Sequence, residues 1–150
     1  MYKRQWLAWS RIPDLATALE VVTLADRPNG GLNIDTWHCA RTDTSAADLL
    51  AVPGGRVLAV QVDDGPAEAE ENLIEATLHA RLVPGEGSFD LQGYLSSLRT
   101  IDASAPIGVE VFSDDLHALG PAKAAQRAAD ATRALLVDVA GPAHRDREAR

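Results

Sequence analysis

The sequence predicts an α/β protein built around a parallel sheet. Four extended segments alternate with helical ones along the 150 residues, which is the pattern of βα units. One extended segment, residues 57–62, is a nearly unbroken apolar run, as expected for a strand that is covered on both faces. Polar residues of the kind that bind ligands stand near the ends of the last three extended segments. In parallel sheets, ligands bind outside the carboxyl ends of the strands, so we expect a site there.

The first two elements are a short strand and an amphipathic helix. The strand is predicted at residues 6–9 and the helix at residues 13–27. Pro13 suits the first helical turn, where an amide hydrogen would go unbonded, and Asp14 suits the positive end of the helix dipole. The spacing of the apolar residues predicts one buried helix face, formed by Leu15, Leu19, Val22 and Ala25.

A second strand, a short helix and a third strand are predicted next. The second strand is expected at residues 32–37 and the third at residues 57–62. Between them, Thr44 or Ser45 can cap a short helix. Asp48, three residues after Ser45, would complete a capping box. In this motif the side chain of each of the two residues accepts a hydrogen bond from the backbone amide of the other.

The connection after the third strand, residues 63–88, is unusually long. A helical piece is predicted within it from Leu73, Ile74, Thr77 and Leu78. Connections of this length in a compact domain are often binding loops or lids. The helix that follows is well marked, because Asp90 is a suitable N-cap and Phe89 and Tyr94 are spaced for a hydrophobic staple.

The last predicted elements are a strand, a long helix and a tail. The strand is expected at residues 107–112, and the helix begins near Pro121. Its expected inward face comprises Ala125, Ala128, Thr132, Leu135 and Val139. Residues 141–150 are polar, and we expect them to form a frayed tail.

Charge and composition exclude several function classes. Fourteen Lys and Arg residues stand against 22 Asp and Glu, a net charge of −8, which makes nucleic acid or an anionic membrane a poor partner. No apolar stretch approaches the roughly 20 residues of a membrane-spanning helix, and no signal-peptide pattern is present. The single cysteine, Cys39, excludes an internal disulfide and fits a reducing compartment. We therefore expect a cytoplasmic protein that binds neither membranes nor nucleic acid.

Ligand-type residues at the strand ends predict a metal site. Asp35 with His38, then Gln61, then Glu110 stand near the carboxyl ends of the last three predicted strands. Burying several such groups without partners would be costly, so their number favours a shared site. Oxygen ligands of this kind suit a divalent ion such as Mg²⁺ or Mn²⁺.

Strand periodicity predicts room for that ion. Alternation places two sets of residues on one face each: Val57, Ala59 and Gln61 in the third strand, and Gly108, Glu110 and Phe112 in the fourth. The residues beneath Gln61 and Glu110, Ala59 and Gly108, are small. We expect them to leave space for an ion or ligand.

Four segments of the chain, residues 32–38, 60–64, 81–87 and 109–112, carry a resemblance that extends from residue 6 to about residue 136. They resemble the sugar phosphate isomerase/epimerase family, which has the xylose isomerase-like TIM barrel. The resemblance implies a divalent-metal-dependent isomerase or epimerase that moves a proton next to a carbonyl group of a sugar, a sugar phosphate or a sugar-like molecule. A complete (β/α)8 barrel needs about 250 residues, so the implied fold is its C-terminal half, strands five to eight with their helices. We expect this fragment, which lacks the N-terminal half, to be inactive alone.

The resemblance also assigns roles to individual residues. Asp35, Gln61 and Glu110 would hold one divalent ion, with Mn²⁺ or Mg²⁺ expected, and Glu110 would also transfer the proton. His38 and Arg81 match positions that contact hydroxyl or carbonyl oxygens of the substrate. The second proton-transferring carboxylate and first metal ligand of the family is a Glu on strand five.

The sequence departs from the family pattern in two places. Gln5 stands where that strand-five Glu is expected, and residues 1–5 look like a translated transposon end used in preparing sequencing libraries. We interpret residues 1–5 as an artefact, residues 6–140 as the C-terminal half of the barrel and residues 141–150 as a tail. Many family members have His at the position of Gln61, and Gln there resembles the dehydratase branches of the dehydroshikimate and inosose type.

Other functions are compatible with the same residues. One is a metal-dependent dehydratase on the same barrel, and another is a purely structural half-barrel that is inactive alone. The same residues are also compatible with a full-length protein that forms a homo-oligomer. An abasic-site endonuclease of this barrel type would require His at position 61 and an Asp-x-His pair at 79 and 81. The chain has Gln61, His79 and Arg81 there, so we do not expect a nuclease.

Each proposed ligand also has a purely structural interpretation. Asp35 could cap a turn, and Glu110 could pair with an arginine. Gln61 could bridge backbone groups with its amide. The three residues together, at the ends of successive strands, favour the metal site.

Overall fold

A computed structural model describes residues 11–140 of the chain. The strands are β1 (Leu32–Asp35), β2 (Val57–Val62) and β3 (Ile107–Val109). The helices are α1 (Leu15–Ala25), α2 (Thr36–Arg41), α3 (Ala46–Leu49), α4 (Leu73–His79), α5 (Leu91–Thr100), α6 (Asp114–Ala118) and α7 (Pro121–Ala140). The predicted first strand, Gln5 and the predicted tail lie outside the described residues.

The three strands form one parallel sheet in the order β1-β2-β3, which confirms the predicted α/β class. In its register, Asp35 is paired with Gln61, and Gln61 is paired with Gly108. The amide of Glu110 donates to the carbonyl oxygen of Val62 at 3.1 Å, one residue beyond the end of β3. The register therefore brings the three predicted metal ligands to the same edge of the sheet.

One face of the sheet packs into the hydrophobic core. The core cluster combines strand residues Leu32, Ile34, Val57, Val60 and Val62 with Leu91, Leu95 and Leu98 of α5 and Leu135 of α7. On the other face, Ala59 and Gln61 remain half-buried and Gly108 is exposed. The expectation that β2 is covered on both faces is therefore wrong for the described residues. Among residues 11–140, a β-carbon built on Gly108 would meet a single atom within 4 Å, the carbonyl oxygen of Val60 at 3.9 Å, so the space beside Gly108 is open there.

A bulge corrects the predicted strand periodicity. The register between β1 and β2 shifts between Leu32 and Asn33, so the alternation of β2 is interrupted near Leu58. Val57 is buried in the core while Ala59 is half-buried, and the prediction that Val57 shares a face with Ala59 and Gln61 is wrong. The extra residue, Leu58, is 46% exposed.

The sequence did not predict helices α2 and α6, because residues typical of strands stand where each helix begins. β1 ends at Asp35, not at Trp37, because the Asp35 side chain accepts hydrogen bonds from the amides of Trp37 and His38 and so caps α2. β3 likewise ends at Val109, before the predicted residue Phe112. Ser113 caps the short helix α6 that follows, accepting from the amide of Leu116.

Most of the other predicted helix boundaries are confirmed. Ser45 and Asp48 form the capping box of α3, and Asp90 caps α5 by accepting from the amide of Gly93. α1 begins two residues later than predicted, because Asp14 is its N-cap and Pro13 lies before it. Two residues assigned to buried helix faces, Ala25 and Ala125, are exposed. None of the helices in residues 11–140 combines the length and apolarity of a membrane span.

The turn before β2 gives the first testable prediction. A β-carbon on Gly54 would overlap the carbonyl oxygen of Ile101, whereas one on the adjacent Gly55 would meet no atom of residues 11–140 within 4 Å. We expect Gly54→Ala to lower the free energy of unfolding by about 1–3 kcal/mol, because backbone must shift to accept the methyl group. Gly55→Ala is the matched control, with an expected change within about 0.5 kcal/mol. Equal urea midpoints for the two variants would contradict the packing described here.

Candidate active site

A buried arginine stands at the centre of the candidate site. The Nη1 atom of Arg81 lies 2.6 Å from Oδ2 of Asp63, 3.3 Å from Oε2 of Glu110 and 3.5 Å from Oδ2 of Asp35. The side chains of Arg81, Asp63 and Asp35 are at most 5% exposed, whereas Glu110 is 34% exposed. The site therefore has a buried floor and one carboxylate that opens toward solvent.

Asp35 performs two tasks with its two oxygens. Oδ1 accepts from the amides of Trp37, at 2.9 Å, and His38, at 3.3 Å, and so caps α2. Oδ2 faces Arg81 and lies 3.6 Å from Nε2 of His38. The structural interpretation of Asp35 as a cap is thus correct for one oxygen, and the other is left facing the site.

Gln61 joins the other two strand-end residues. Its Nε2 donates to Oε1 of Glu110 at 2.9 Å, and its Oε1 accepts a short hydrogen bond from Nδ2 of Asn33. The amide therefore bridges β1 and β3 across β2. In this orientation its nitrogen faces Glu110, and a rotation of the amide by 180° would present the oxygen there instead.

His38 lies at the entrance of the site on α2. Its side chain is 38% exposed, and partial burial lowers its pKa, although the nearby Asp35 carboxylate acts in the opposite sense. A neutral imidazole can donate from one nitrogen and accept at the other. A cavity of about 210 Å³ beside Asp35 and His38 is also lined by Leu15 and Ala18 of α1.

Asp63 is the site residue that sequence reasoning missed. Its side chain is fully buried, its Oδ2 pairs with Arg81, and its Oδ1 accepts from Oγ1 of Thr36 at 2.7 Å. Burial, followed by repulsion from the Asp35 carboxylate, raises the pKa of Asp63. The position of Asp63, directly after the carboxyl end of β2, could have marked it as a site residue. Asp64 also follows β2, so position alone does not say which of the two belongs to the site.

Asp64 has a different task, which is to shape the loop beside the site. It is buried, and its side chain accepts hydrogen bonds from three backbone amides: Gly65 at 2.8 Å, Gly85 at 2.9 Å and Phe89 at 3.0 Å. These bonds fix the segment that the sequence marks as a tight Pro-Gly-Glu-Gly loop. A side chain at Gly87 would overlap the Asp64 carboxylate, which explains why glycine stands there.

Two other charged residues near this edge, His79 and Glu86, have partners outside the site. His79 pairs through Nδ1 with Asp114 at 3.1 Å, and Arg127 holds Glu86 with two nitrogens. Cys39 is buried, and burial raises the pKa of its thiol to about 12, so it is a packed residue and not a nucleophile.

The residues present fit a divalent cation in chemistry but supply only part of its coordination. Asp35 and Glu110 contribute carboxylate oxygens within 3.5 Å of one shared point, the Nη1 atom of Arg81, and Gln61 can add an amide oxygen. Within residues 11–140, no three His, Cys, Asp or Glu side chains converge as a metal site. A cation held here would therefore require at least one further ligand from outside this set.

Comparison with known proteins matches this chain to one fold family. The model of the family described as xylose isomerase-like TIM barrel matches residues 5–135. A crystal structure of the IOLI protein with a binding zinc atom superposes with a TM-score of 0.72 at 28% sequence identity, covering 80% of this chain and 42% of that one.

Two kinds of curated relative are similar in sequence. A 3-dehydroshikimate dehydratase of Pseudomonas aeruginosa is 34% identical over 131 residues, which is 87% of this chain and 20% of the relative. An inosose isomerase of Bacillus subtilis is 30% identical over 116 residues, 77% of this chain and 40% of the relative. The chain thus spans between a fifth and two fifths of the length of the curated relatives it matches.

Proposed function

Since this chain belongs to the xylose isomerase-like TIM-barrel family, we propose that it carries part of the active site of a divalent-metal-dependent enzyme that moves a proton next to a carbonyl group. The proposed substrate is a small, hydroxylated, sugar-like ketone. Isomerisation of such a ketone and loss of water from it can share this proton transfer. The two kinds of curated relative, an inosose isomerase and a 3-dehydroshikimate dehydratase, are named for these two outcomes.

The convergence of Asp35 and Glu110 carries this proposal. They belong to different strand ends, 75 positions apart in the sequence, yet both carboxylates lie within 3.5 Å of the same nitrogen of Arg81. Arg81 offsets the repulsion between these two carboxylates, and a carboxylate pair gathered in this way is also suited to hold a cation or to move a proton. Glu110 is the more exposed of the two and is the one a substrate could reach.

The proposed ligands of the metal are Asp35, Gln61 and Glu110. When bound, a divalent ion would polarise the carbonyl oxygen of the substrate. The oxygen-rich donor set favours Mn²⁺ or Mg²⁺, and the zinc in the IOLI structure makes Zn²⁺ the third ion to test. We infer that the missing coordination comes from the part of a complete barrel that residues 11–140 do not include, with this chain as the half that contains strands five to eight.

The chain's own side chains would divide the chemistry among them. Glu110 would take the proton from the carbon beside the carbonyl or return it there, since its carboxylate is the accessible one. Arg81 would contact a substrate oxygen with its guanidinium, and His38 would donate to or accept from a substrate hydroxyl. A second carboxylate, on the opposite side of the substrate, would complete the transfer.

One observation favours the dehydratase as a second candidate. The 34% identity to the 3-dehydroshikimate dehydratase covers more of this chain than the match to the inosose isomerase. The two candidates differ in what leaves the enzyme: an isomer of equal mass, or a product lighter by one water.

Hydrogen exchange with solvent tests the proposal. We expect a complete barrel in which this chain supplies strands five to eight, loaded with Mn²⁺ and given a cyclic polyhydroxy ketone in D2O, to place deuterium on the carbon next to the carbonyl. Chelation of the metal is expected to slow this exchange at least about 100-fold, and restored Mn²⁺, Mg²⁺ or Zn²⁺ should recover it. Mass spectrometry of the product then separates isomerase from dehydratase.

The same experiment can refute the proposal. Exchange that survives complete chelation would remove the metal from the mechanism. No exchange with any hydroxylated ketone, by a complete barrel whose circular dichroism shows it folded, would contradict the proposed proton transfer.

A further inference from the structure

We propose that Asp63 is a positioning residue that holds the Arg81 guanidinium between Asp35 and Glu110. That Arg81 contacts a substrate rests on the function proposed above. That Asp63 holds its guanidinium in one orientation does not depend on that function. Asp63 makes the shortest of the carboxylate contacts to Nη1 of Arg81, at 2.6 Å, against 3.3 Å for Glu110 and 3.5 Å for Asp35. Its side chain is fully buried, so water does not weaken the pair.

Asp63 can hold Arg81 because Asp63 is itself held. The hydroxyl of Thr36 lies 2.7 Å from Oδ1 of Asp63 and 2.8 Å from its carbonyl oxygen, and it accepts from the Asp63 amide at 2.9 Å. Thr36 is 1% exposed and belongs to the first turn of α2. The Asp63 carboxylate is therefore held at the neighbouring strand end by bonds that do not involve Arg81.

The rest of the guanidinium is confined as well. Its Nε donates to the carbonyl oxygen of Thr77 at 3.1 Å. Its Cζ lies 5.4 Å from the ring centroid of Trp37 and 5.0 Å from that of Phe112, so aromatic rings limit its tilt. Backbone pairing fixes the base of the side chain, because the Arg81 amide donates to the carbonyl oxygen of Phe112 at 2.9 Å.

This arrangement leaves one nitrogen of Arg81 for a ligand. Nη1 and Nε have the partners described above, whereas Nη2 has no hydrogen-bond partner among residues 11–140. With Asp63 fixing Nη1, the direction of Nη2 is fixed too, because the guanidinium is planar. Asp63 thereby sets where Arg81 can meet a substrate oxygen without touching the substrate.

Arg41 provides a matched control inside the same molecule. It is also buried, and its Cζ lies 4.5 Å from the ring centroid of Trp37 and 4.9 Å from that of Phe89. Its Nη2 pairs with Glu70 at 3.3 Å. Because the Glu70 side chain is 28% exposed and its contact is longer, Glu70→Gln should loosen Arg41 less than Asp63→Asn loosens Arg81.

The test is nuclear magnetic resonance of arginine side chains in the whole protein labelled with ¹³C and ¹⁵N. In the wild type we expect rotation about the Nε–Cζ bond of Arg81 to be at least about 10-fold slower than in the exposed Arg133, since charge-assisted hydrogen bonds must break first. Asp63→Asn should accelerate rotation of Arg81 and leave Arg41 unchanged. Glu70→Gln should do the reverse, and loss of the signal in Arg81→Lys assigns it.

Steady-state kinetics tests whether this positioning matters for activity. Its results distinguish an error in the proposed function from an error in the positioning role. Asp63→Asn is expected to lower kcat/KM at least about 10-fold, because the arginine no longer points at the substrate, while Glu70→Gln keeps it within about 2-fold. Fast rotation of Arg81 in the wild type overturns the proposal without any variant, as does slow rotation that persists in Asp63→Asn. If the wild type shows no turnover while Asp63→Asn still accelerates rotation of the Arg81 guanidinium, the enzymatic function is refuted and the positioning role is supported.

Discussion

Glu110→Gln is expected to reduce turnover at least about 100-fold in the metal-loaded protein. The substitution keeps the size of the side chain and removes both its charge and its ability to accept a proton. General acid–base groups typically contribute 10²–10⁴-fold to a rate, and the same carboxylate is a proposed metal ligand. Turnover is measured by the deuterium exchange described above and by product formation.

The metal affinity of the same variant separates the two tasks of Glu110. Titration with Mn²⁺ should show binding weakened at least about 10-fold, because one of two charged ligands is lost. Glu68→Gln is the matched control: it makes the same chemical change at an exposed position of the long connection, and it should leave both quantities unaltered. If Glu110→Gln retains Mn²⁺ affinity and turnover, the assignment of Glu110 is wrong.

Asp64→Ala is expected to lower the free energy of unfolding by about 3–5 kcal/mol. The side chain is 1% exposed and accepts from the amides of Gly65, Gly85 and Phe89. Its removal leaves three amide donors without this acceptor, one of them buried and two in part-buried hydrogen bonds, at about 1–3 kcal/mol for each that water cannot reach. Urea denaturation followed by circular dichroism gives the change directly.

Two further variants make the stability result interpretable. Asp115→Ala, at an exposed position of α6, makes the same chemical change and should cost no more than about 1 kcal/mol. Asp64→Asn should be milder than Asp64→Ala, since the amide oxygen still accepts hydrogen bonds. Equal midpoints for Asp64→Ala and Asp115→Ala would show that the loop of residues 84–89 does not depend on the Asp64 carboxylate.

Local sequence signals predicted much of the fold. The capping box of Ser45 and Asp48, the Asp90 cap and the apolar run of β2 are each decided within a few residues, and the structure confirms them. The same kind of signal failed where two local preferences competed. Thr36 and Trp37 suit a strand, but the Asp35 carboxylate bonded to the following amides and started α2 instead.

The bulge at the start of β2 shows a second limit. Alternation along a strand predicts correctly which face of the sheet each side chain occupies only while the register with the neighbouring strand stays regular. The shift between Leu32 and Asn33 belongs to the pair of strands and not to either one, so the position of Val57 could not be read from its own segment.

The sequence alone determined that Asp35, Gln61 and Glu110 stand at strand ends, and that a parallel sheet would gather them at one edge. The tertiary structure decided how they are connected: Gln61 bonds Glu110 across 49 positions of sequence, and Arg81 bonds Asp63, Glu110 and Asp35 from a connection between strands. Periodicity and capping are fixed by neighbours a few residues apart, and so they can be read from the chain. A distance between side chains from different segments depends on strand register and on how the intervening loop packs. Asp63 gained its role from that packing, while Asp64, the same residue type one position later, was turned toward the loop.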